Sequence, residues 1–247
     1  MARRDINQGA ERDAALQAAQ PRPKKGLVIG GSIIIALAVL VALIPLVLTM
    51  FGSGVRTEGI DAGAVREATT DVDGTWTVSN RPGANGSSAG FTFDEVLPGE
   101  RRTTSGSTQG VKGAVVIESG TITSGEITVD MTTITTDSDV RDSNVRRKIF
   151  ETDTYPEATF TVTEPADVSH LPEDGTVGQV ELTGELTIHG QTNSVTHTFD
   201  AVRSGDHLVV AGDVPVTRAD YGVDSPEFVA AKIADEGEIN IRLNLTK

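Results

Sequence analysis

The sequence has no cysteine among its 247 residues, only 4% aromatic side chains and four histidines. The absence of thiols excludes a disulfide framework, a cysteine-ligated zinc or iron–sulfur site and a thiol nucleophile. With so few rings, any core is mainly aliphatic, and it must hold by burial and hydrogen bonds alone. Basic charge is also short, 21 Lys and Arg against 35 Asp and Glu, a net of −14. The shortage is uneven. Residues 1–26 carry six basic and three acidic residues, a net of +3, and residues 27–51 carry no charge. Residues 52–247 hold fifteen basic and thirty-two acidic residues, a net of −17. An acidic body of that size repels polyanions, so binding of nucleic acid through its phosphates is excluded.

The uncharged run LVIGGSIIIALAVLVALIPLVLTMF, residues 27–51, has no ionised or amide side chain. About 20 apolar residues cross a hydrocarbon core of roughly 30 Å, so this run is read as one transmembrane helix. Pro45 kinks such a helix, which a membrane span tolerates. Arg22, Lys24 and Lys25 abut its start and only Arg56 follows closely, which places the N-terminus in the cytoplasm. The run exceeds a signal-peptide core of about 7–15 residues, and Met50-Phe51-Gly52-Ser53-Gly54 lacks a small-x-small cleavage pattern. A retained, single-pass anchor in the cell membrane is therefore expected, with the acidic body extracytoplasmic. Residues 1–26 are read as a polar cytoplasmic tail. Residues 52–73, with no sustained period, are read as a flexible linker of roughly 25 Å.

From Gly74 onward the hydropathy period is two, the mark of half-buried strands. Val180, Leu182, Leu186 and Ile188 alternate with Gln179, Glu181, Thr183, Glu185 and Thr187. The pattern recurs at Val111–Ile117, Ile127–Met131, Phe160–Val162, Leu208–Val216 and Ile239–Leu245, with further strands at Trp76/Val78 and Phe91/Phe93. A four-residue loop over 190–193 would set Ile188 opposite Val195, Leu186 opposite His197 and Gly184 opposite Phe199. A one-residue slip would destroy that match. Residues 138–149 read as a short charged helix, and Ser225-Pro226 opens a second candidate running through Ile233. About eight strands with short helical insertions imply an all-β, mainly antiparallel barrel or sandwich over residues 74–247.

Three segments carry a family resemblance. Residues 132–163 hold Arg141-Asp142, Ile149-Phe150, Tyr155-Pro156 and Phe160; residues 184–200 read GELTIHGQTNSVTHTFD; and Arg218-Ala219-Asp220-Tyr221-Gly222-Val223 closes the set. In order and spacing these resemble the YceI family of extracytoplasmic lipid-binding proteins. The resemblance implies a lipocalin-like eight-stranded antiparallel barrel whose apolar interior holds a long isoprenoid chain, a polyprenyl lipid or a quinone. The family's His-Ser pair after the first strand is not evident, and residues 80–90 read NRPGANGSSAG instead, which leaves the shape of the tunnel mouth open.

Under that resemblance the lipid wall is expected at Trp76, Phe91, Phe93, Ile127, Val129, Phe160, Leu186, Ile188 and Phe199. His197 turns inward in the same hairpin register and would meet a ligand's head or be satisfied within the core. Arg141-Asp142 and Arg146-Arg147-Lys148 form a solvated face or a basic rim, and Arg218 with Asp220 is expected to tie a strand end to its neighbour. No histidine pair has metal-ligand spacing, and no nucleophile elbow or phosphate loop occurs, so neither metal, cofactor nor catalytic residue is expected. The alternative is a non-catalytic structural or interaction module of the cell envelope with a filled core.

Overall fold

Alternating segments become strands almost wherever the pattern is clear. The computed structural model describes residues 55–97, 100–224 and 232–247. Its strands are β1 (Gly74–Val78), β2 (Ser88–Leu97), β3 (Glu100–Thr108), β4 (Val111–Glu118), β5 (Thr121–Asp130), β6 (Glu157–Val162), β7 (Ala166–Asp167), β8 (Gly178–Ile188), β9 (Gln191–Ser204), β10 (His207–Thr217) and β11 (Lys232–Thr246). All pair antiparallel in one sheet, in the order β1-β4-β5-β6-β8-β9-β10-β11. The sheet closes on itself where Thr77 meets Thr246 and Val78 meets Leu245. Closure leaves no open edge in that ring.

β1 and β2 lie in succession along β11, and β4 and β3 lie in succession along them. Each pair forms one barrel strand with an interruption, so the barrel has eight staves. The Gly/Ser-rich loop 79–87 is the interruption in the first. It is pinned to β11, since Ser79 N–H donates to Asn244 O at 2.7 Å and Asn244 Nδ2 to Asn85 O at 3.0 Å.

The β8–β9 hairpin differs from expectation. His189 and Gly190 both take positive φ, 52° and 73°, and make a two-residue turn. Ile188 therefore pairs with Gln191, Leu182 with His197 and Val180 with Phe199. The offset from the expected register is four residues, an even number, so each side chain keeps its face. Gly184 faces Val195, and the ring it makes room for is Phe160 rather than Phe199.

The expected helix 138–149 forms as α1 (Asp139–Asn144) followed by a π-helical turn, Val145–Ile149. Ser138 caps it, and buried Asp142 accepts hydrogen bonds from Thr136 N–H and Oγ1, both at 2.6 Å. Of the second expected helix, 225–231 lie outside the described residues, while Ile233 belongs to β11. Among the described residues no helix is long and apolar enough to cross a membrane. The apolar run 27–51 and the tail before it lie outside them.

Residues 55–73 correct the expected linker: they are bonded along the outside of the barrel. Arg56 Nη2 meets Asp213 at 2.8 Å and Glu238 at 3.3 Å, and Thr57 hydrogen-bonds Ser88. Further on, Ala68 N–H donates to Glu173 O and Thr69 N–H to Gly205 O, while buried Arg203 donates to Thr70 O at 2.7 Å. Backbone donors and carbonyls that a free chain would leave to water are thus bound to the barrel.

Candidate functional site

The barrel interior is not filled. A cavity of about 120 Å3 runs inside it, lined from all eight staves. Among the described residues Thr159 is the one polar side chain in its lining. Two liners of β8, Val180 and Ile188, lie roughly 26 Å apart along the strand at about 3.3 Å per residue. An apolar cavity of this size and chemistry stays dry.

The rings explain why the space stays open. Four glycines on neighbouring strands sit beneath Phe91, Phe93, Phe160 and Phe199: Gly106, Gly237, Gly184 and Gly212 respectively. A Cβ on Gly184 would stand 2.5 Å from Phe160 Cζ, and one on Gly212 would stand 2.7 Å from Phe199 Cδ1. Each ring occupies the volume of a missing side chain and so lies against the wall instead of across the lumen.

At one end the cavity meets a second, outer chamber of about 340 Å3. Phe91, Phe150, Ile188 and Ile239 belong to the walls of both and form the neck between them. Phe91 and Phe150 stand edge to face with centres 5.4 Å apart. The outer wall is mixed. Val140 of α1 stands at its rim, 73% exposed, beside Arg141 and Asn144, and β2 and β11 contribute Phe93, Glu95 and Ile233. Arg218, Tyr221, Val223 and Asp224 complete that side. Burial pushes the Tyr221 phenol above its ordinary value, Asp220 adds to the shift, and a hydrogen bond with Asn193 opposes it. It therefore stays a neutral hydroxyl at physiological pH.

The chamber's cations are already engaged. Arg218 is buried and donates to Ala234 O at 2.7 Å, Val223 O at 2.9 Å, Ile233 O at 3.3 Å and Asp235 Oδ1 at 3.0 Å. Its carboxylate partner is Asp235, not the expected Asp220. Arg141 pairs with Asp137 one helical turn away, and Arg102 reaches the same carboxylate at 3.3 Å. Thr104 is the exception: it is 7% exposed, and its hydroxyl has no hydrogen-bond partner.

Of the ten expected site residues, Phe91, Ile127, Val129, Phe160, Leu186, Ile188 and Phe199 line the inner cavity, and Phe93 lines the outer chamber. Trp76 and His197 line neither. Trp76 is 1% exposed, donates from Nε1 to Val72 O at 2.7 Å and carries Lys247 Nζ 4.8 Å above its ring, so it plugs the core. His197 is half-buried with its ring edge-on to Phe199. The loop 79–87 contributes to neither wall. Thr104 and Phe150 are among the site residues that sequence reasoning missed, with Val115, Val210 and Tyr221. Among the described residues no group of three or more His, Asp or Glu could hold a metal ion.

The YceI-like domain model matches residues 56–245, most of the chain and the whole barrel with its outer segment. The chain belongs to the YceI-like family. Two solved structures share the fold of this YceI-like barrel. One is a polyisoprenoid binding domain from Saccharophagus degradans, 18% identical, covering 70% of this chain and 97% of that one with a TM-score of 0.54. The other is BcnA from Burkholderia cenocepacia, 22% identical, covering 64% and 94% with a TM-score of 0.50. No curated protein matches the sequence.

Proposed function

We propose that this YceI-like chain is a carrier that holds a long-chain isoprenoid, a polyprenyl lipid or a quinone, in its inner cavity. The observation that carries the reading is the open apolar interior, with its rings laid flat on glycines. Affinity comes from burial, about 0.8 kcal/mol for each CH2 removed from water, and requires no specific polar contact along the tail. The polyisoprenoid binding domain of Saccharophagus degradans has the same fold, which supports the choice of ligand class. A filled-core structural module is disfavoured by the same open space. The proposal includes an anchor: residues 27–51 hold the chain in the cell membrane as a single pass, with the N-terminus cytoplasmic and the barrel extracytoplasmic. The acidic barrel gains nothing electrostatically from anionic head groups, so the anchor is what keeps it near its lipid source.

Native mass spectrometry of the purified chain, with extraction of bound lipid, tests the reading. A co-purifying isoprenoid, or saturable uptake of an added one, is expected; an empty barrel that also rejects added isoprenoids would overturn it. Val210, half-buried and in the cavity wall, supplies the matching variant. Val210→Phe places a ring in open space and is expected to cut lipid occupancy at least tenfold with little change in melting temperature.

A further inference from the structure

We propose that the outer chamber is a head-group subsite for an uncharged oxygen acceptor, and that Thr104 is the residue that donates to it. The inference rests on the isoprenoid reading and names the end group that reading left open. Thr104 lies on β3 opposite Phe93, so it shares the inward face of the sheet and belongs to the chamber wall. Its Oγ1 is buried without a partner and closed off from the chamber, so a rotation about the Thr104 Cα–Cβ bond is what brings it to a ligand oxygen. A buried hydroxyl that makes no hydrogen bond is costly and uncommon, and the cost is removed when a ligand oxygen arrives beside it.

The charges of the same wall select against an ionised head. Its two described cations, Arg141 and Arg218, are bound to Asp137 and Asp235, and Arg218 serves three backbone carbonyls besides. Glu95 and Asp224 add negative charge to the wall. A diphosphate entering here is desolvated without gaining an unengaged cation and faces two carboxylates. A quinone carbonyl or a prenol hydroxyl is desolvated at lower cost and satisfies Thr104. The neck of Phe91, Phe150, Ile188 and Ile239 then separates head from tail: the isoprene units pass through it into the dry cavity while the oxygen stays in the mixed outer chamber.

The test compares four probes on the full chain: menaquinone-4, geranylgeraniol, geranylgeranyl diphosphate and squalene. Tighter binding of either neutral-headed probe than of the diphosphate supports the subsite. Thr104→Val keeps the shape and removes the hydroxyl; it is expected to weaken menaquinone-4 and geranylgeraniol about tenfold and to leave squalene unchanged. Thr104→Ser retains the hydroxyl and is expected to retain the affinity. The valine variant should melt no lower than the unaltered chain, because it loses no protein hydrogen bond. Unchanged affinity for both neutral-headed probes in Thr104→Val, equal weakening of squalene, or tightest binding of the diphosphate would each overturn the proposal while leaving the isoprenoid cavity standing. Failure of all four probes, squalene included, would overturn the cavity reading itself.

Discussion

A phenylalanine over a glycine solves a problem of volume at a single position. Ring and glycine come from adjacent strands, so the pair fills one side-chain site with one side chain and leaves the lumen clear. At Gly212 the atoms in the way are all of the Phe199 ring, which can move only toward the cavity. Gly212→Ala is therefore expected to cost about 1–3 kcal/mol, the usual range for overpacking, and to lower lipid affinity. Gly212→Ala with Phe199→Leu should recover most of both, and a denaturation series over the two single variants and the double variant measures the coupling. Equal losses in the single and double variants would show that the glycine serves its backbone alone. The rings were legible in the sequence because they fall in phase with alternating aliphatics. Thr104 was not legible: its strand reads Thr-Thr-Ser-Gly-Ser-Thr, and nothing in that composition tells an inward hydroxyl from an outward one.

Among elements, the single turn Arg218–Tyr221 does more than its length suggests. Gly222 closes it in the left-handed region at φ 61°, and Arg218 turns back onto β11 where that strand bulges between Ile233 and Gly237. At that bulge the guanidinium donates to the carbonyls of Ile233 and Ala234. Arg218→Met strips three carbonyls of their partner and is expected to lose about 2–4 kcal/mol in chemical denaturation. Arg218→Lys should recover less than half of that, because an ammonium cannot reproduce the planar fork. A loss below about 0.5 kcal/mol in the methionine variant would contradict this role. The motif was visible in the sequence, but its partner was not, since Asp220 is two residues away in the chain and Asp235 is seventeen. β3 escaped notice for a similar reason. Its inward sites, Thr104 and Gly106, are not apolar, because the Phe91 ring from β2 covers Gly106. The hairpin turn was misplaced because Gln191-Thr192-Asn193 has loop composition yet continues a strand once His189 and Gly190 make the reversal.

For the molecule as a whole, the barrel could be read from the sequence because every stave repeats the same alternation over at least part of its length. The outer segment 55–73 could not, since it has no period of its own and its partners Asp213, Ser204 and Arg203 lie more than a hundred residues ahead. Asn240 is 0% exposed although it alternates with inward Ile239 and Ile241, and it donates to Asp213, the carboxylate that Arg56 holds. Starting the chain at residue 74 instead of 55 removes one partner each of Arg203, Asp213 and Ser88 and is expected to cost about 2–4 kcal/mol, read as a lower denaturation midpoint. An unchanged midpoint would show that the segment rests on the barrel without stabilising it. The seam of the barrel carries a different consequence, one of timing. Its closing pairs join Thr77 and Val78 to Leu245 and Thr246, the far ends of the domain. A chain emerging from the ribosome thus holds its first stave half-paired until β11 is made, and the hairpins formed in between must wait with one open side. Such long-range closure places folding in the slow class of β proteins, on the order of milliseconds to seconds.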